Sequence, residues 1–253
     1  MRILLTNDDG VQARGLHALH DAIADLGEVH VVAPFRVQSA TSHAITLHRS
    51  IRVEPYACDR FEGMAVHGRP ADCVKLAVAK LVPSPIDLVI SGINHGANVG
   101  VNVHYSGTVG AAREGAFLGI PAIAVSLHLG DFDHEHWPRA AAHARSAIDR
   151  ILQVGIDPGT LFNVNVPILD GGAEPLGTIG VPLNPGYMLD RYEQTTDEDG
   201  MICYRAKDSM AFSNPGQGTD VDKLYERYVT ITPLHYEQTD ADELQRLQDH
   251  LSQ

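Results

Sequence analysis

The sequence is poor in positive charge. It carries 19 Lys and Arg against 32 Asp and Glu among 253 residues, which gives a formal net charge of −13. Proteins that bind long nucleic acids rely on many Lys and Arg side chains to neutralise phosphates. The deficit therefore argues against a nucleic-acid polymer as partner. A small anionic substrate stays open if a metal ion and a few arginines supply a local positive field.

Cysteines and long apolar runs are also scarce. The three cysteines, Cys58, Cys73 and Cys203, are odd in number and form no Cys-x-x-Cys pair. This pattern predicts free thiols in a reducing compartment. No run of eighteen apolar residues and no basic-then-apolar leader occurs in the sequence. We therefore expect a cytoplasmic protein without a membrane partner.

Apolar strands and helices alternate along the chain. The strand candidates are short, largely apolar runs at 3–5, 29–33, 87–91, 122–127 and 161–166, the first of them without any polar alternation. Helical spacing or helix-start signals lie between them, over about 16–26, 70–81, 108–118 and 138–152. Uninterrupted apolar strands are typical of parallel sheets covered on both faces. The pattern predicts an α/β fold with a three-layer, Rossmann-like, mostly parallel sheet.

The composition changes after Pro167. Residues 170–220 are rich in Gly, Pro and Asp, and the acidic stretch 187–200 is typical of a loop. We expect a single domain whose core covers about 1–167. Residues 168–253 would form a C-terminal extension.

Two regular elements are expected near the C-terminus. Residues 228–232 alternate, which predicts a strand with one solvent-facing side. Asp240 is placed to cap a last helix with a narrow apolar stripe of Leu244, Leu247 and Leu251. Such a stripe needs a surface to cover, on its own domain or on another subunit.

Polar side chains with oxygen ligands follow the first strand. Asn7, Asp8 and Asp9 come directly after its apolar run and before Gly10. Open α/β sheets bind ligands at the carboxyl ends of their strands. Two adjacent carboxylates repel each other unless a cation lies between them, and oxygen ligands suit Mg²⁺, Mn²⁺ or Ca²⁺. The simpler alternative is an Asx-rich turn in which Asp8 or Asp9 caps the next helix.

Two more strand-end loops have a similar composition. Residues 38–42 include Ser39, and residues 91–98 include Asn94 and Asn98. All supply small residues and hard oxygen ligands, as an octahedral divalent cation requires.

The segment Ser106-Gly107-Thr108 stands immediately before a predicted helix. Ser106 or Thr108 can cap that helix, while its exposed N–H groups and dipole form an anion site. An ordinary N-cap is the simpler interpretation of this segment alone. Combined with the three polar loops, it favours a metal-assisted phosphoryl centre.

This ordered set of motifs resembles the SurE family. The motifs are Thr-Asn-Asp-Asp-Gly at 6–10, Ala-Pro at 33–34 with Arg36 and Ser39, Arg-Pro-Ala-Asp-Cys-Val at 69–74, Ser-Gly-Ile-Asn at 91–94 and Tyr-Ser-Gly-Thr-Val at 105–109. The segment at 228–234 is similar to the last core strand of that family. Its members are survival-protein nucleotidases, which remove phosphate from nucleoside monophosphates with a divalent metal.

The resemblance implies a cofactor and roles for individual residues. One divalent ion, Mg²⁺ or Mn²⁺ with Ca²⁺ as a substitute in crystals, would be held by Asp8, Asp9, Ser39 and Asn94. Asp8 and Asp9 would also be catalytic, in a hydrolysis performed by a metal-activated water. Asn94, Ser106, Gly107 and Thr108 would line the phosphate pocket. The family further implies a homodimer or homotetramer that exchanges the C-terminal part, and an exopolyphosphatase side activity.

Three positions depart from the family pattern. Phe35 stands where Asp is common, Ala40 where Gly is common and Arg69 where Thr is frequent. None of the three is a proposed ligand, so substrate preference is the property that they affect.

Two other functions fit parts of the sequence. A phosphatase that forms an aspartyl-phosphate needs two acids spaced two residues apart, whereas Asp8 and Asp9 are adjacent. A non-catalytic nucleotide-binding regulatory protein would need a Gly-x-Gly-x-x-Gly turn, whereas only Gly10 follows the first strand. Whether Asp8 or Asp9 acts as base or nucleophile stays open at this point.

Overall fold

The computed structural model describes residues 1–129, 136–189, 191–207, 212–214 and 216–252. Its strands are β1 (Arg2–Thr6), β2 (Glu28–Pro34), β3 (Val53–Ala57), β4 (Glu62–Val66), β5 (Leu88–His95), β6 (Ala122–Leu127), β7 (Leu161–Val166), β8 (Thr178–Gly180), β9 (Arg191–Thr196), β10 (Ile202–Lys207) and β11 (Val229–Leu234). Its α-helices are α1 (Arg14–Ile23), α2 (Pro70–Leu76), α3 (Gly107–Phe117), α4 (Trp137–Val154), α5 (Asp220–Tyr225) and α6 (Ala241–Leu251).

One nine-stranded sheet organises the chain, in the order β3-β4-β2-β1-β5-β6-β7-β11-β8. The strands from β4 to β7 are parallel neighbours, while β3 and β11 pair antiparallel with β4 and β7. The predicted α/β fold with a mostly parallel sheet is therefore confirmed. Because β8 and β11 belong to this sheet, it extends past the predicted division at residue 167.

Helices cover both faces of the sheet. Ile3 and Leu5 of β1 pack into a cluster with Leu16 of α1 and Ile148 of α4. Leu4 lies between them in sequence and packs on the opposite face, among residues of α2 and α3. Successive side chains of a strand point to opposite faces, so covering both faces requires an uninterrupted apolar run.

Strand β5 is longer than predicted and carries Asn94 itself. The strand continues to His95, with an irregular register between Ser91 and Asn94. Gly92 has φ +144°, and a Cβ there would lie 2.3 Å from the carbonyl oxygen of Val125. A glycine is therefore required at this position, where β5 bulges against β6.

Several helical boundaries also differ from the prediction. Helix α1 ends at Ile23, before the predicted end near residue 26. The predicted helix over 70–81 divides into α2 and one π-helical turn, Ala77–Leu81. A 3₁₀ helix, Gly100–His104, precedes α3 and was not predicted. No helix in the described part of the chain is long and apolar enough to cross a membrane.

The predicted loop at 187–200 is wrong for residues 191–196, which form strand β9. This strand pairs antiparallel with β10 in a separate hairpin, and residue 190 of the predicted loop lies outside the described residues. Asp197 Oδ1 closes the turn, since it accepts the N–H groups of Asp199 at 3.1 Å and Met201 at 2.8 Å. The acidic residue that indicated a loop therefore makes the turn of a hairpin.

Strand β11 is confirmed, but its expected solvent-facing side is wrong. Thr230 and Thr232 are buried, because α4 and α5 both pack against this strand. The capped last helix is α6, where Asp240 Oδ1 accepts the N–H of Glu243 at 2.9 Å. The residues that the structure describes leave its stripe uncovered, with exposed fractions of 42% for Leu244, 54% for Leu247 and 75% for Leu251.

Candidate active site

Asn7 forms the turn that ends β1. Its Oδ1 accepts the N–H of Gly10 at 3.1 Å, and its Nδ2 donates to the carbonyl oxygen of Gly10 at 3.0 Å. Helix α1 has Ala13 at its N-cap and no side-chain cap. The simple capping role considered for Asp8 and Asp9 is therefore wrong, and both carboxylates remain available to bind a ligand.

Asp8 is 5% exposed and points at the start of α3. Its Oδ1 accepts the hydroxyl of Thr108 at 2.5 Å, and a Cβ on Gly107 would lie 2.9 Å from its Oδ2. Burial raises the pKa of Asp8 to about 6; the Thr108 hydrogen bond opposes this rise and the charge of Asp9 adds to it. Strand β1 thus presents a carboxylate to the helix N-terminus at an energetic cost.

Asp9 lies beside β5. Its Oδ2 accepts the backbone N–H of His95 at 3.0 Å. Burial raises the pKa of Asp9 above its ordinary value, although this N–H and the His95 ring both act to lower it. Two neighbouring acids with raised pKa values therefore lie at the carboxyl end of β1, and one of them contacts β5.

A cavity of about 190 Å³ opens at this edge of the sheet. Four predicted site residues line it: Asp8, Ser39, Asn94 and Ser106. Asp9 adjoins it through His95, while Gly107 and Thr108 adjoin it through Asp8. The structure thus brings together residues that lie up to 98 positions apart in the sequence.

Ser106 is the N-cap of α3. Its Oγ accepts the N–H of Val109 at 3.1 Å, which leaves the hydroxyl proton free to donate. Of the two predicted caps, Ser106 rather than Thr108 fills the role. The first N–H groups of an α-helix have no intrahelical acceptor and, with the helix dipole, favour an anion.

Asn94 presents an oxygen to the cavity. Its Nδ2 donates to the carbonyl oxygen of Gly96 at 2.7 Å, so the amide oxygen is the atom left for a ligand. This orientation makes the side chain a suitable cation ligand.

A buried amide network that the sequence did not reveal supports the cavity wall. The backbone N–H of Asn98 donates to Asn165 Oδ1 at 2.8 Å, and its carbonyl oxygen accepts Nδ2 of Asn163 at 2.7 Å. Asn98 Nδ2 also donates to Ser126 Oγ at 2.8 Å. Two asparagines inside the apolar strand β7 were the available signal, because buried amides require partners.

The comparison with known proteins decides the family. Residues 3–180 match the family described as "Survival protein SurE". The chain belongs to the SurE family. It is 44% identical over 252 residues to the 5'-nucleotidase SurE of Rhodopirellula baltica, covering 98% of each chain. It is 40% identical over 257 residues to that of Heliobacterium modesticaldum, covering 99% of this chain and 92% of the relative.

A solved structure agrees over the whole length. The crystal structure of the SurE protein from Aquifex aeolicus superposes with a TM-score of 0.83 at 32% identity and covers all of both chains. The resemblance inferred from the motifs and the fold inferred from the strand pattern are therefore both confirmed.

The cavity of this SurE protein has the chemistry of a hard-cation site. In the described part of the chain, neither Asp8 nor Asp9 forms an ion pair with Lys or Arg, and no group of three or more His, Cys, Asp or Glu is arranged so that it could hold a metal ion. Two carboxylates without a Lys or Arg partner, together with a hydroxyl and an amide oxygen, form a donor set for Mg²⁺ or Mn²⁺ rather than for Zn²⁺. The residues present therefore fit a divalent ion.

The three departures from the family pattern occupy different places. Ala40 lines the cavity and has φ +54°. Phe35 stacks on His67, with ring centroids 4.3 Å apart, and Arg69 begins α2. Neither Phe35 nor Arg69 is among the described residues that line the cavity, so Ala40 is the departure placed to affect a bound substrate.

Proposed function

We propose that this chain is a metal-dependent 5'-nucleotidase, a phosphomonoesterase that hydrolyses nucleoside monophosphates to nucleoside and phosphate. The observation that carries the proposal is the buried Asp8 carboxylate, which faces the N-terminus of α3 across one small cavity. A cation site and an anion site then adjoin, as cleavage of a phosphate ester requires. The names of the relatives from R. baltica and H. modesticaldum support the same activity.

We assign the cation to Asp8, Asp9, Ser39 and Asn94. When bound, Mg²⁺ or Mn²⁺ supplies positive charge toward the phosphate oxygens and makes a water molecule more acidic. The residues of this chain hold that ion in place. Asp8 and Asp9 provide the negative charge that retains the ion, and Ser39 and Asn94 provide neutral oxygens. Thr108 orients Asp8 through its hydroxyl and favours the ionised carboxylate against the effect of burial.

The start of α3 would receive the phosphate. The Ser106 hydroxyl can donate to a phosphate oxygen, and so can the N–H of Gly107, whereas the N–H of Thr108 already acts on Asp8. These donors are held by the helix before substrate arrives, so they stabilise the charge that builds on the equatorial oxygens without reorganisation. Asn94 reaches the same cavity from β5.

We also propose a homodimer or homotetramer in which the C-terminal extension, with the uncovered stripe of α6, contacts another subunit. Cys58, Cys73 and Cys203 are all unpaired, which supports a reducing compartment such as the cytoplasm. Exopolyphosphatase activity is a further proposal for the same phosphate site.

Phosphate release from a panel of nucleoside monophosphates and polyphosphate tests the function, with Mn²⁺, Mg²⁺ or a chelator present. We expect release from 5'-monophosphates with either metal and none with chelator. Tight AMP binding in Mn²⁺ without release would favour the non-catalytic regulatory protein. Recovery of a phosphorylated Asp8 or Asp9 would favour the aspartyl-phosphate mechanism instead.

A further inference from the structure

Residues 38–46, here called the Ser39 loop, carry one proposed cation ligand on strained backbone. The loop contains neither helix nor strand. Ala40 and Ser42 have φ of +54° and +53°. Left-handed backbone is unfavourable for residues with a Cβ, and it persists only where the surroundings hold it. The contacts of the loop with the rest of the chain must therefore maintain its conformation.

Glu114 of α3 holds the middle of the loop. It is 5% exposed, and its Oε2 lies 2.7 Å from Nε2 of His43. Its Oε1 accepts Nζ of Lys75 at 3.1 Å. Burial raises the pKa of Glu114, but the hydrogen bonds from His43 and Lys75 outweigh it and bring the pKa below its ordinary value. Glu114 is therefore an ionised anchor at neutral pH.

Asp72 of α2 holds the far end of the loop. It is 2% exposed and accepts both the N–H of Thr46 at 2.9 Å and the hydroxyl of Thr46 at 2.7 Å. Its Oδ2 also accepts the N–H of Arg69 at 2.8 Å. Both oxygens of this buried carboxylate are occupied, so its role is to fix backbone.

The near end of the loop is joined to the cavity wall. The N–H of Gln38 donates to the carbonyl oxygen of Asp8 at 2.7 Å. The N–H of Ser42 donates to the carbonyl oxygen of Tyr105 at 3.0 Å, and a Cβ on Gly110 would lie 2.7 Å from the carbonyl oxygen of Ser42. The loop therefore rests directly on α3, between its anchors and the cavity.

We propose that Glu114 is a positioning residue that holds Ser39 in the cavity beside Asp8 through His43, an inference that rests on the proposed function. Loss of this anchor lets the strained backbone at Ala40 and Ser42 relax and withdraws Ser39 from the cation. The phosphate donors at the start of α3 stay in place, because Ser106 caps that helix independently of the loop.

The positioning role is tested by measuring Mn²⁺ binding to the full chain in the absence of nucleotide. Electron paramagnetic resonance reports the concentration of free Mn²⁺. The variants are Glu114→Gln, which nearly keeps the shape, and His43→Ala, which removes the loop side of the contact. We expect the Kd for Mn²⁺ to rise roughly tenfold in both, the usual effect of losing an outer-shell partner. Phosphate release from AMP should recover at saturating Mn²⁺, with KM for AMP near the wild-type value.

Ile151→Val is the matched control. Ile151 is buried on α4, on the other face of the sheet, so the substitution destabilises the fold without touching the loop. Its Kd for Mn²⁺ should equal that of the wild type. The double variant Glu114→Gln/His43→Ala should bind Mn²⁺ about as weakly as either single variant, because both substitutions remove the same contact.

The outcomes separate the inference from the function on which it rests. Wild-type Mn²⁺ affinity in folded Glu114→Gln and His43→Ala would overturn the positioning role while leaving the nucleotidase in place. An equal loss of Mn²⁺ affinity in Ile151→Val would show that the effect comes from lower stability of the fold. That result would also overturn the positioning role. If Glu114→Gln does not fold, His43→Ala decides alone. A wild type that neither binds Mn²⁺ nor releases phosphate removes the proposed function, and the inference falls with it.

Discussion

The Thr108 hydroxyl donates to Asp8 Oδ1 at 2.5 Å, across 100 residues of sequence. This contact joins the acid at the end of β1 to the first turn of α3. It also opposes the rise in the pKa of Asp8 that burial causes. One hydrogen bond therefore links the proposed cation site to the proposed phosphate site.

Thr108→Val should impair catalysis and lower the stability of the metal-free protein by about 1–3 kcal/mol. Valine keeps the branched shape of threonine, but the buried Asp8 loses a charge-assisted hydrogen bond. We expect kcat/KM for AMP to fall about 10- to 100-fold, and the pKa of Asp8 to rise further. The measurement is phosphate release between pH 5.5 and 8, with thermal unfolding as the check on folding. Unchanged kcat/KM across that range would show that Thr108 does not support Asp8.

Asp8→Asn should abolish turnover and yet stabilise the metal-free protein at neutral pH. The pKa of Asp8 is about 6 in the fold, against 3.8 ordinarily. Between these values the folded chain binds more protons than the unfolded chain, so stability falls as pH rises through this window. Above it, the buried charge costs up to about 3 kcal/mol, and asparagine removes that charge.

The difference in free energy of unfolding between Asp8→Asn and wild type, measured in chelator, should be largest near pH 7.5 and vanish near pH 4. Added Mn²⁺ should stabilise the wild type more than the variant. The control is Asp59→Asn, which makes the same charge change at an exposed residue. It should show no such pH-dependent difference in free energy of unfolding, and Mn²⁺ should stabilise it as much as the wild type. Near-normal phosphatase activity in Asp8→Asn would refute the assignment of the site.

Gly107→Ala should damage the site more than the fold. Its Cβ would lie 2.9 Å from both Cβ and Oδ2 of Asp8, closer than real contacts allow. The carboxylate would have to move, and we expect weaker Mn²⁺ binding and a loss of activity of at least about tenfold. Gly115→Ala, two turns along α3, is the matched control, because its Cβ would meet the core side chain of Val89. That variant should lose stability while its folded fraction binds Mn²⁺ normally.

The sequence alone predicted the elements whose burial leaves a recognisable pattern of apolar residues. The run Ile3-Leu4-Leu5 predicted a strand covered on both faces, and each of its side chains is fully buried. The oxygen-bearing residues at the ends of β1 and β5 predicted a shared edge, and Asp8 and Asn94 line one cavity there. Parallel strands place their carboxyl ends at one edge of a sheet by a general rule, so this part of the site needed no long-range information.

The remainder depends on contacts that leave no local pattern. Every residue of β9 is exposed, so the hairpin carried no hydrophobic alternation and was predicted as a loop. The Ser39 loop has no regular structure, and its conformation is set by Asp72 and Glu114 from distant helices. The bond from the N–H of His95 to Asp9 involves backbone, whose position no side-chain pattern encodes.

Leu247→Glu should shift the protein toward monomers. Leu247 lies in the stripe of α6 and is 54% exposed within one chain. An apolar stripe of this kind is stable when another surface covers it, so we expect a second subunit to do so. A charge placed in such an interface would remain unpaired and desolvated. Size-exclusion chromatography with light scattering should show a dimer or tetramer for the wild type and a smaller species for the variant. Gln245→Glu, on the same helix but off the stripe, should keep the wild-type mass. A wild-type monomer, or an unchanged mass for Leu247→Glu, would contradict a role for α6 in assembly.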